Sequence, residues 1–283
     1  MKIRTLNLLL VSSCWLLLGG LAATAQEPAS EEDEKVEEAP DQADLAKQVQ
    51  NPLANLVSLP LQFNFNDGVG DFDRRQFNLN VQPVVPFPGE KWNIISRTII
   101  PVNSVPVGDT DSVFGIGDTS LSLFWSPAKA SSLTWGVGPA ISLPTASNPE
   151  VLGSGKWSLG PTAVLFYGVG NWTMGLVASN VWSVAGDSDR DNVNFFFGQY
   201  FVNYNLGKGW AVGTAPIVTA NWEAESGNQW TVPWGLQASK VTHFGSQPVN
   251  LLLGYYENTD HPEGGAESQV RFQVNFMFPQ KPK

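Results

Sequence analysis

Near its end the chain reads Val270-Arg271-Phe272-Gln273-Val274-Asn275-Phe276-Met277-Phe278, with an apolar residue at every second position. Successive side chains of a β-strand point to opposite faces, so this run predicts a strand with one apolar and one more polar face. Similar runs recur from Leu56 onward, separated by turn residues. A tilted strand of about 9–11 residues is long enough to cross a lipid bilayer. The alternation therefore predicts strands that span a membrane.

The fold class predicted from these runs is all-β: a transmembrane, antiparallel, up-and-down β-barrel of about twelve strands, within a range of about 10 to 14. The predicted strands lie near residues 56–66, 75–86, 92–102, 115–126, 133–144, 156–167, 172–183, 193–205, 210–222, 229–241, 249–258 and 267–278. Their connections alternate between short turns and longer, more acidic loops, as the periplasmic turns and external loops of outer-membrane barrels do. A soluble β-sandwich is the alternative, but it would place tryptophan at strand centres, whereas here most tryptophans open or close strands.

The first 25 residues have the pattern of a secretory signal peptide. Lys2 and Arg4 precede an apolar stretch, and Ala23-Thr24-Ala25 is a small-residue cleavage site. A membrane anchor helix is the alternative reading, and Cys14 weakly resembles a lipidation site. Because Cys14 is the only cysteine, the mature chain offers no disulfide and no thiol chemistry.

Acidic residues dominate the charge of the mature chain. Removing the two basic residues of the signal peptide from the 16 basic and 26 acidic residues of the chain leaves a net charge of −12. Nucleic acid is therefore not an expected partner, because its binding depends on basic patches. Nine of the acidic residues lie in 26–50. We predict three parts: a signal peptide (1–25), an acidic, disordered periplasmic segment (26–50) and an outer-membrane barrel (51–283). Residues 44–57 could form a short helix, which we expect to close the periplasmic mouth.

Three charged residues lie at predicted mid-strand or inward positions: Arg97, Asp118 and Arg271. An arginine facing lipid at mid-membrane costs about 2–4 kcal/mol, so we expect Arg97 and Arg271 to face the lumen. If the third and fourth predicted strands pair around Gly108, Arg97 lies opposite Ser120 and diagonal to Asp118. We therefore predict an Arg97–Asp118 ion pair, whose role is either to satisfy polar groups in the wall or to select solutes.

We find no catalytic, cofactor-binding or metal-binding constellation in the sequence. The two histidines, His243 and His261, fall at opposite ends of the predicted barrel. The acids of 187–191 alternate as in a calcium loop, but the glycine and the terminal glutamate of an EF-hand loop are missing. We accordingly expect neither an enzyme nor a cofactor.

Several short stretches carry a resemblance to a known family. They are Gln50-Asn51-Pro52, Ser58-Leu59-Pro60-Leu61-Gln62, Asn80-Val81-Gln82-Pro83-Val84-Val85-Pro86, Arg97-Thr98-Ile99-Ile100-Pro101, Gly115-Ile116-Gly117-Asp118-Thr119, Trp135-Gly136-Val137-Gly138-Pro139, Leu152-Gly153-Ser154-Gly155-Lys156-Trp157, Gln229-Trp230-Thr231-Val232-Pro233 and Pro262-Glu263-Gly264-Gly265. The chain resembles, over 46–279, the bacterial outer-membrane proteins labelled "putative MetA-pathway of phenol degradation", some of which carry the misleading label "neuromedin U". The resemblance implies a barrel with a suspected transport role, and it supplies no substrate or site residues.

The sequence thus leaves two functions open. One is a passive channel or transporter for small solutes, with hydrophobic or aromatic compounds among the candidates. The other is a non-conducting structural or interaction barrel that anchors the acidic segment. In either case we expect the outer membrane, with its lipid and lipopolysaccharide, to surround the protein. The oligomeric state and the solute are not predicted.

Overall fold

The computed structural model describes residues 41–129 and 131–280, which contain two short helices and fifteen strands. The helices are α1 (Gln42–Val49) and α2 (Pro149–Leu152). The strands are β1 (Leu56–Val69), β2 (Arg74–Val81), β3 (Val84–Phe87), β4 (Trp92–Val107), β5 (Asp111–Ile116), β6 (Thr119–Pro127), β7 (Leu133–Leu143), β8 (Lys156–Val169), β9 (Trp172–Gly186), β10 (Asn194–Gly207), β11 (Trp210–Thr214), β12 (Ile217–Asn221), β13 (Trp230–Phe244), β14 (Gln247–Asp260) and β15 (Ser268–Pro279). The predicted signal peptide and residues 26–40 lie outside the described residues. In the described part of the chain, no helix is long and apolar enough to cross a membrane.

The strands form one closed, antiparallel barrel whose wall has twelve strands. Three of these twelve are interrupted and are each assigned as two shorter strands: β2 with β3, β5 with β6, and β11 with β12. The last strand pairs with the first from Leu56↔Pro279 to Asp67↔Ser268, which closes the sheet. A closed barrel leaves no unpaired sheet edge, as a lipid environment requires. The predicted fold class and strand number are confirmed.

Two of the three breaks fall at prolines. Pro83 separates β2 from β3, and Pro216 separates β11 from β12. Proline has no backbone N–H to donate to a ladder, so a strand that contains it loses pairing at that point. Alternation alone gave no indication of these breaks because the side chains keep their faces across them.

The outer and inner faces of the wall differ as the alternation predicts. On the outside, Trp234 is 61% exposed and Leu236 is 72% exposed, whereas Gln62 and Asn64 on the inner face are almost completely buried. Tryptophans form two outer bands. One lies where the short turns are, with Trp92, Trp125, Trp135, Trp172 and Trp210, and the other lies where the long loops are, with Trp157, Trp182, Trp222 and Trp230. Such an apolar belt between aromatic girdles is typical of transmembrane barrels.

The connections define two ends of the barrel. We call the end with residues 88–91, 128–129, 131–132, 170–171, 208–209 and 245–246 the turn end, and the opposite end the loop end. The loop end carries 70–73, 108–110, 144–155, 187–193, 222–229 and 261–267. Its first two connections are shorter than predicted, because β1 continues to Val69 and β4 to Val107. Outer-membrane barrels have short turns on the periplasmic side, so the turn end is the periplasmic one.

The chain enters the barrel from the turn end. The short helix expected over 44–57 overlaps α1, which ends earlier, at Val49. Helix α1 lies within the segment 26–50, so the predicted disorder is wrong for residues 42–49. The reason is burial: Leu45 is 1% exposed and Ala46 is 3% exposed, packed against Leu56 and Met277 of the wall. Burial of apolar side chains offsets the entropy cost of ordering an otherwise acidic segment.

Candidate solute pathway in the barrel lumen

The lumen contains a cavity of about 200 Å³. Residues 48–52 and Ala54, which follow and include the end of α1, form its floor at the turn end. Its walls are formed by inward side chains of the barrel: Leu56, Ser58, Pro60, Gln62, Gln82, Val84, Arg97, Phe124, Val177, Gln199, Phe201, Asn203, Ala215, Gln237, Ser239, Asn250, Leu252, Arg271, Gln273 and Asn275. Ligand pockets for drug-sized molecules measure about 300–1,000 Å³, so this cavity suits only a small solute.

A ladder of amide side chains covers the inner face of β1, β2 and β4. Gln82 donates to Gln62 (3.2 Å), which donates to Asn64 (3.1 Å), which donates to Asn78 (2.8 Å). Asn78 in turn donates to Asn103 (2.7 Å). An amide can donate and accept at once, so a row of amides satisfies its own buried polar groups. The ladder gives this wall a polar but uncharged surface.

Arg97 of β4 extends the amide ladder with a charge. Its Nη2 donates to Gln82 Oε1 over 2.8 Å. Its guanidinium carbon also lies 6.0 Å from the ring centre of Phe197, which belongs to β10 on another part of the wall. This is within the range of a cation–π contact. Arg97 therefore connects two parts of the barrel wall from the inside.

Arg271 of β15 also lies inside the barrel, at a different part of the wall. Its Nη1 donates to the carbonyl oxygen of Ala215 (2.9 Å), and its Nη2 donates to Gln269 Oε1 (2.9 Å). The guanidinium carbon lies 4.6 Å from the ring centre of Tyr256. The Tyr256 hydroxyl accepts from the backbone N–H of Ala215 (3.2 Å) and donates to Gln237 (2.8 Å). Side chains of the lumen thus replace the ladder partners that Ala215 lacks at the break between β11 and β12.

Asp118 does not pair with Arg97, so the predicted ion pair is wrong. Arg97 pairs in register with Ser122 rather than Ser120, which places Asp118 further along the strand. Asp118 instead accepts hydrogen bonds from the backbone N–H and hydroxyl of Ser154 (2.7 and 2.8 Å) and from the backbone N–H of Ala146 (3.2 Å). Within 41–129 and 131–280 the one ion pair joins Asp67 to Arg75 near the loop end.

The segment after α1 packs against the opposite side of the lumen from Met277. Leu53 is 6% exposed and lies in a cluster with Ile95, Phe124, Val164 and Val177, which come from four different strands. Val84 and Phe197 complete the surroundings of this cluster. We refer to residues 42–55 as the plug. Its apolar side chains reach both sides of the lumen at the turn end.

One polar side chain of the plug is also bonded to the wall. Gln50 donates to Asn205 Oδ1 (3.0 Å) and accepts a hydrogen bond from the Thr173 hydroxyl. Asn51 remains within the plug, where its Oδ1 accepts from the backbone N–H of Leu53 (3.0 Å). The plug is therefore held mainly by two apolar clusters, with Gln50 bonded to the wall between them.

The loop 144–155 folds back onto the inner face of the loop end. Leu152, at the end of α2, is 8% exposed and lies over Gly115 of β5. Arg190 from the next long loop donates to the carbonyl oxygens of Pro149 (2.8 Å), Gly153 (2.9 Å) and Ser154 (3.4 Å). Together with Asp118, Arg190 holds this loop through polar contacts.

The described residues contain no group of three or more His, Cys, Asp or Glu side chains placed to hold a metal ion. The acids of 187–191 act locally, since Asp187 accepts from the backbone N–H of Asp189 (2.9 Å). His243 ends β13 at the turn end, while His261 begins a connection at the loop end, so the two cannot share one site.

A comparison with protein families identifies the fold's relatives. A family model described as "Putative MetA-pathway of phenol degradation" matches residues 62–278. The chain belongs to this family. Its closed barrel and apolar outer belt place it in the outer membrane. No curated protein matches the chain.

Solved structures share the architecture at low sequence identity. An outer membrane channel from Pseudomonas putida F1 is 14% identical, with a TM-score of 0.59 over 79% of this chain and 94% of that one. The outer membrane phospholipase of Salmonella typhi is 12% identical, with a TM-score of 0.45 over 83% and 98% of the two chains. That of Escherichia coli is 13% identical, with a TM-score of 0.43 over 86% and 99%. At these identities the likeness concerns the fold.

Proposed function

We propose that this barrel is a narrow channel for small solutes, closed at its periplasmic end by the plug. The observation that carries the proposal is the placement of Leu45 and Leu53, which are buried among wall residues of the lumen, directly beneath a cavity. A barrel of about twelve strands lies between eight-stranded barrels filled by side chains and 16-stranded open porins. A chain segment can therefore close such a lumen without any large loop.

Two further observations support a channel. The inner face is lined by a continuous amide ladder, whose side chains can exchange hydrogen bonds with a passing solute. The outer membrane protein of Pseudomonas putida F1, which shares the fold, is itself described as a channel.

Conductance of the purified protein in planar lipid bilayers tests the proposal. We expect low conductance from the full chain and a clear increase when residues 42–55 are deleted. A second variant keeps the length of the plug and replaces its two buried leucines, Leu45 and Leu53, by alanine. It weakens both apolar clusters and should also increase conductance.

Folding of each variant is checked by the shift in gel mobility that intact barrels show on heating. A folded deletion variant that conducts no better than the full chain would overturn the channel proposal. That result would favour the alternative, a structural barrel that anchors the acidic segment preceding the plug.

A further inference from the structure

The charges around the cavity have one sign. Among the described residues that line the cavity, Arg97 and Arg271 are basic and none is acidic. Neither arginine is paired with a carboxylate of the described residues, in which the one ion pair joins Asp67 to Arg75. Burying a charge without a counter-charge is costly, and proteins normally neutralise it with a partner or a ligand. The cavity is therefore electrostatically suited to an anion.

Arg97 has donors left for a ligand. A guanidinium carries five N–H donors, and Arg97 uses one of its nitrogens, Nη2, in the bond to Gln82. The residue is half-buried, and its other nitrogens are not among the buried atoms that lack partners. Arg97 lines the cavity, so these nitrogens can reach a ligand within it. The planar guanidinium matches a carboxylate in two-point geometry.

Arg271 strengthens the positive field of the cavity. It is 3% exposed, its two described hydrogen-bond acceptors are neutral, and its Nε is buried without a partner in the described chain. The Tyr256 ring at 4.6 Å compensates part of the charge. Because interactions between charges are stronger in a poorly solvated site, this uncompensated charge attracts an anion anywhere in the cavity.

An apolar surface adjoins the arginine. Val84, the cross-strand neighbour of Arg97, is half-buried and lines the cavity beside the more deeply buried Phe124, Val177 and Phe201. Phe197, whose ring faces the guanidinium of Arg97, packs against the cluster that contains Phe124 and Val177. A ligand bound at Arg97 would thus meet apolar side chains beside its charged group. A simple inorganic anion would leave that surface unused.

We propose that the cavity binds a small organic monocarboxylate, with its carboxylate at Arg97 and its apolar body against the half-buried Val84 beside it. The cavity of about 200 Å³ limits that body to a single ring or a short alkyl chain. The proposal rests on the channel function in that the bound anion is the class of solute that enters the lumen. The uncharged amide ladder alone would not favour a carboxylate over a neutral solute.

The test is equilibrium binding to the full chain in lipid nanodiscs, measured by calorimetry. The probes are benzoate and octanoate, which distinguish an aromatic from an alkyl body, and benzamide and octanamide, their uncharged counterparts. We expect at least one carboxylate to bind about tenfold or more tightly than its amide, because hydrogen bonds between two charged groups are stronger than those to a neutral amide. The binding of the carboxylate should weaken as the salt concentration rises.

Three variants locate the site. Arg97→Gln should abolish the preference for the carboxylate while leaving amide binding unchanged, and Arg97→Lys should retain part of it. Arg75→Gln removes a positive charge of the loop end, which lies outside the cavity, and should behave as the unmodified chain does. Equal binding of acid and amide, absence of binding, or carboxylate binding by a folded Arg97→Gln variant equal to that of the unmodified chain would each overturn the proposal.

The outcome is separable from that of the channel proposal. Conductance of the plug-deleted variant without any carboxylate preference would leave the channel standing and remove the anion site. Carboxylate binding that depends on Arg97 in a barrel that never conducts would support the anion site and remove the channel.

Discussion

The two ends of the lumen are narrowed in different ways. At the turn end the plug inserts leucines into apolar clusters, Leu45 beside Met277 and Leu53 beside Phe124. At the loop end the segment 144–155 is held by a carboxylate and a guanidinium, Asp118 and Arg190. Apolar contacts are non-directional and leave no unpaired donor when they separate, whereas each polar contact leaves a buried partner unsatisfied.

This difference suggests that the two ends have different roles. A segment held by apolar clusters can withdraw as a unit, since its loss exposes apolar surface but breaks few hydrogen bonds. A loop whose backbone N–H groups are bonded to one carboxylate stays in a single conformation as long as those hydrogen bonds are made. We therefore expect the turn end to control whether the lumen is open and the loop end to fix the shape of its mouth.

The largest effect should come from the plug. Replacing Leu53 by Ala removes the side chain that fills the cluster of Ile95, Phe124 and Val164, and such changes cost about 2–5 kcal/mol. Here that free energy weakens docking of the plug, so conductance in planar bilayers should increase. Leu206→Ala provides the control, because Leu206 is 58% exposed near the turn end and touches no plug cluster. Equal conductance of the two variants would show that apolar packing does not close the lumen.

The next effect should arise at the loop end. Asp118→Ala leaves the N–H and hydroxyl of Ser154 and the N–H of Ala146 without their acceptor. Bonds to a charged group contribute about 1.5–3 kcal/mol, so we expect the loop to lose roughly that much stability and to be cleaved faster by proteases within 144–155. Asp118→Asn keeps an acceptor, so its cleavage rate should lie between those of Asp118→Ala and the unmodified chain. Unchanged cleavage in Asp118→Ala would mean that the loop is held by Arg190 and Leu152 alone.

A smaller effect should follow from crowding the same loop. A Cβ added at Gly153 would lie 2.4 Å from the Ala146 Cβ and 2.7 Å from Asp118 Oδ1. Overpacking of this kind costs about 1–3 kcal/mol, so Gly153→Ala should lower the thermal stability of the loop end. The matched control is Gly168→Ala, where the nearest atom lies at an ordinary 3.5 Å from the new Cβ. Equal melting temperatures for the two variants would count against a tight fit around Asp118.

The barrel could be predicted from sequence because its signal is local and repeated. Alternation, turn residues and tryptophan placement each occur many times, so errors at single strands cancel. The neighbour of Arg97 depended instead on one register. The β4–β5 pairing lies one residue from the expected register, and an irregularity between β5 and β6 adds a second residue, so the partner is Ser122 rather than Ser120. Asp118 then met Ser154, which is 36 residues further along the chain. No pattern within a strand indicates such a contact.

The plug was only partly predictable for a related reason. Its acidic composition indicates disorder, yet Leu45 and Leu53 are complementary to apolar patches of the lumen that exist only after the barrel closes. The sequence shows that a helix could form near residue 44, but the partners of Leu53 come from β4, β6, β8 and β9. Contacts assembled from strands so distant in sequence require the structure.

The smallest effect should come from Gln50, the polar contact between plug and wall at the turn end. Gln50→Ala removes the bonds to Asn205 and Thr173, and neutral hydrogen bonds contribute about 0.5–1.5 kcal/mol each. Asn205 still donates to the Asn171 carbonyl (2.9 Å), so it keeps a partner. Conductance of Gln50→Ala in planar bilayers should therefore rise less than that of Leu53→Ala. If Gln50→Ala opened the lumen as fully as Leu53→Ala, polar bonds would control both ends, and the contrast between them would disappear.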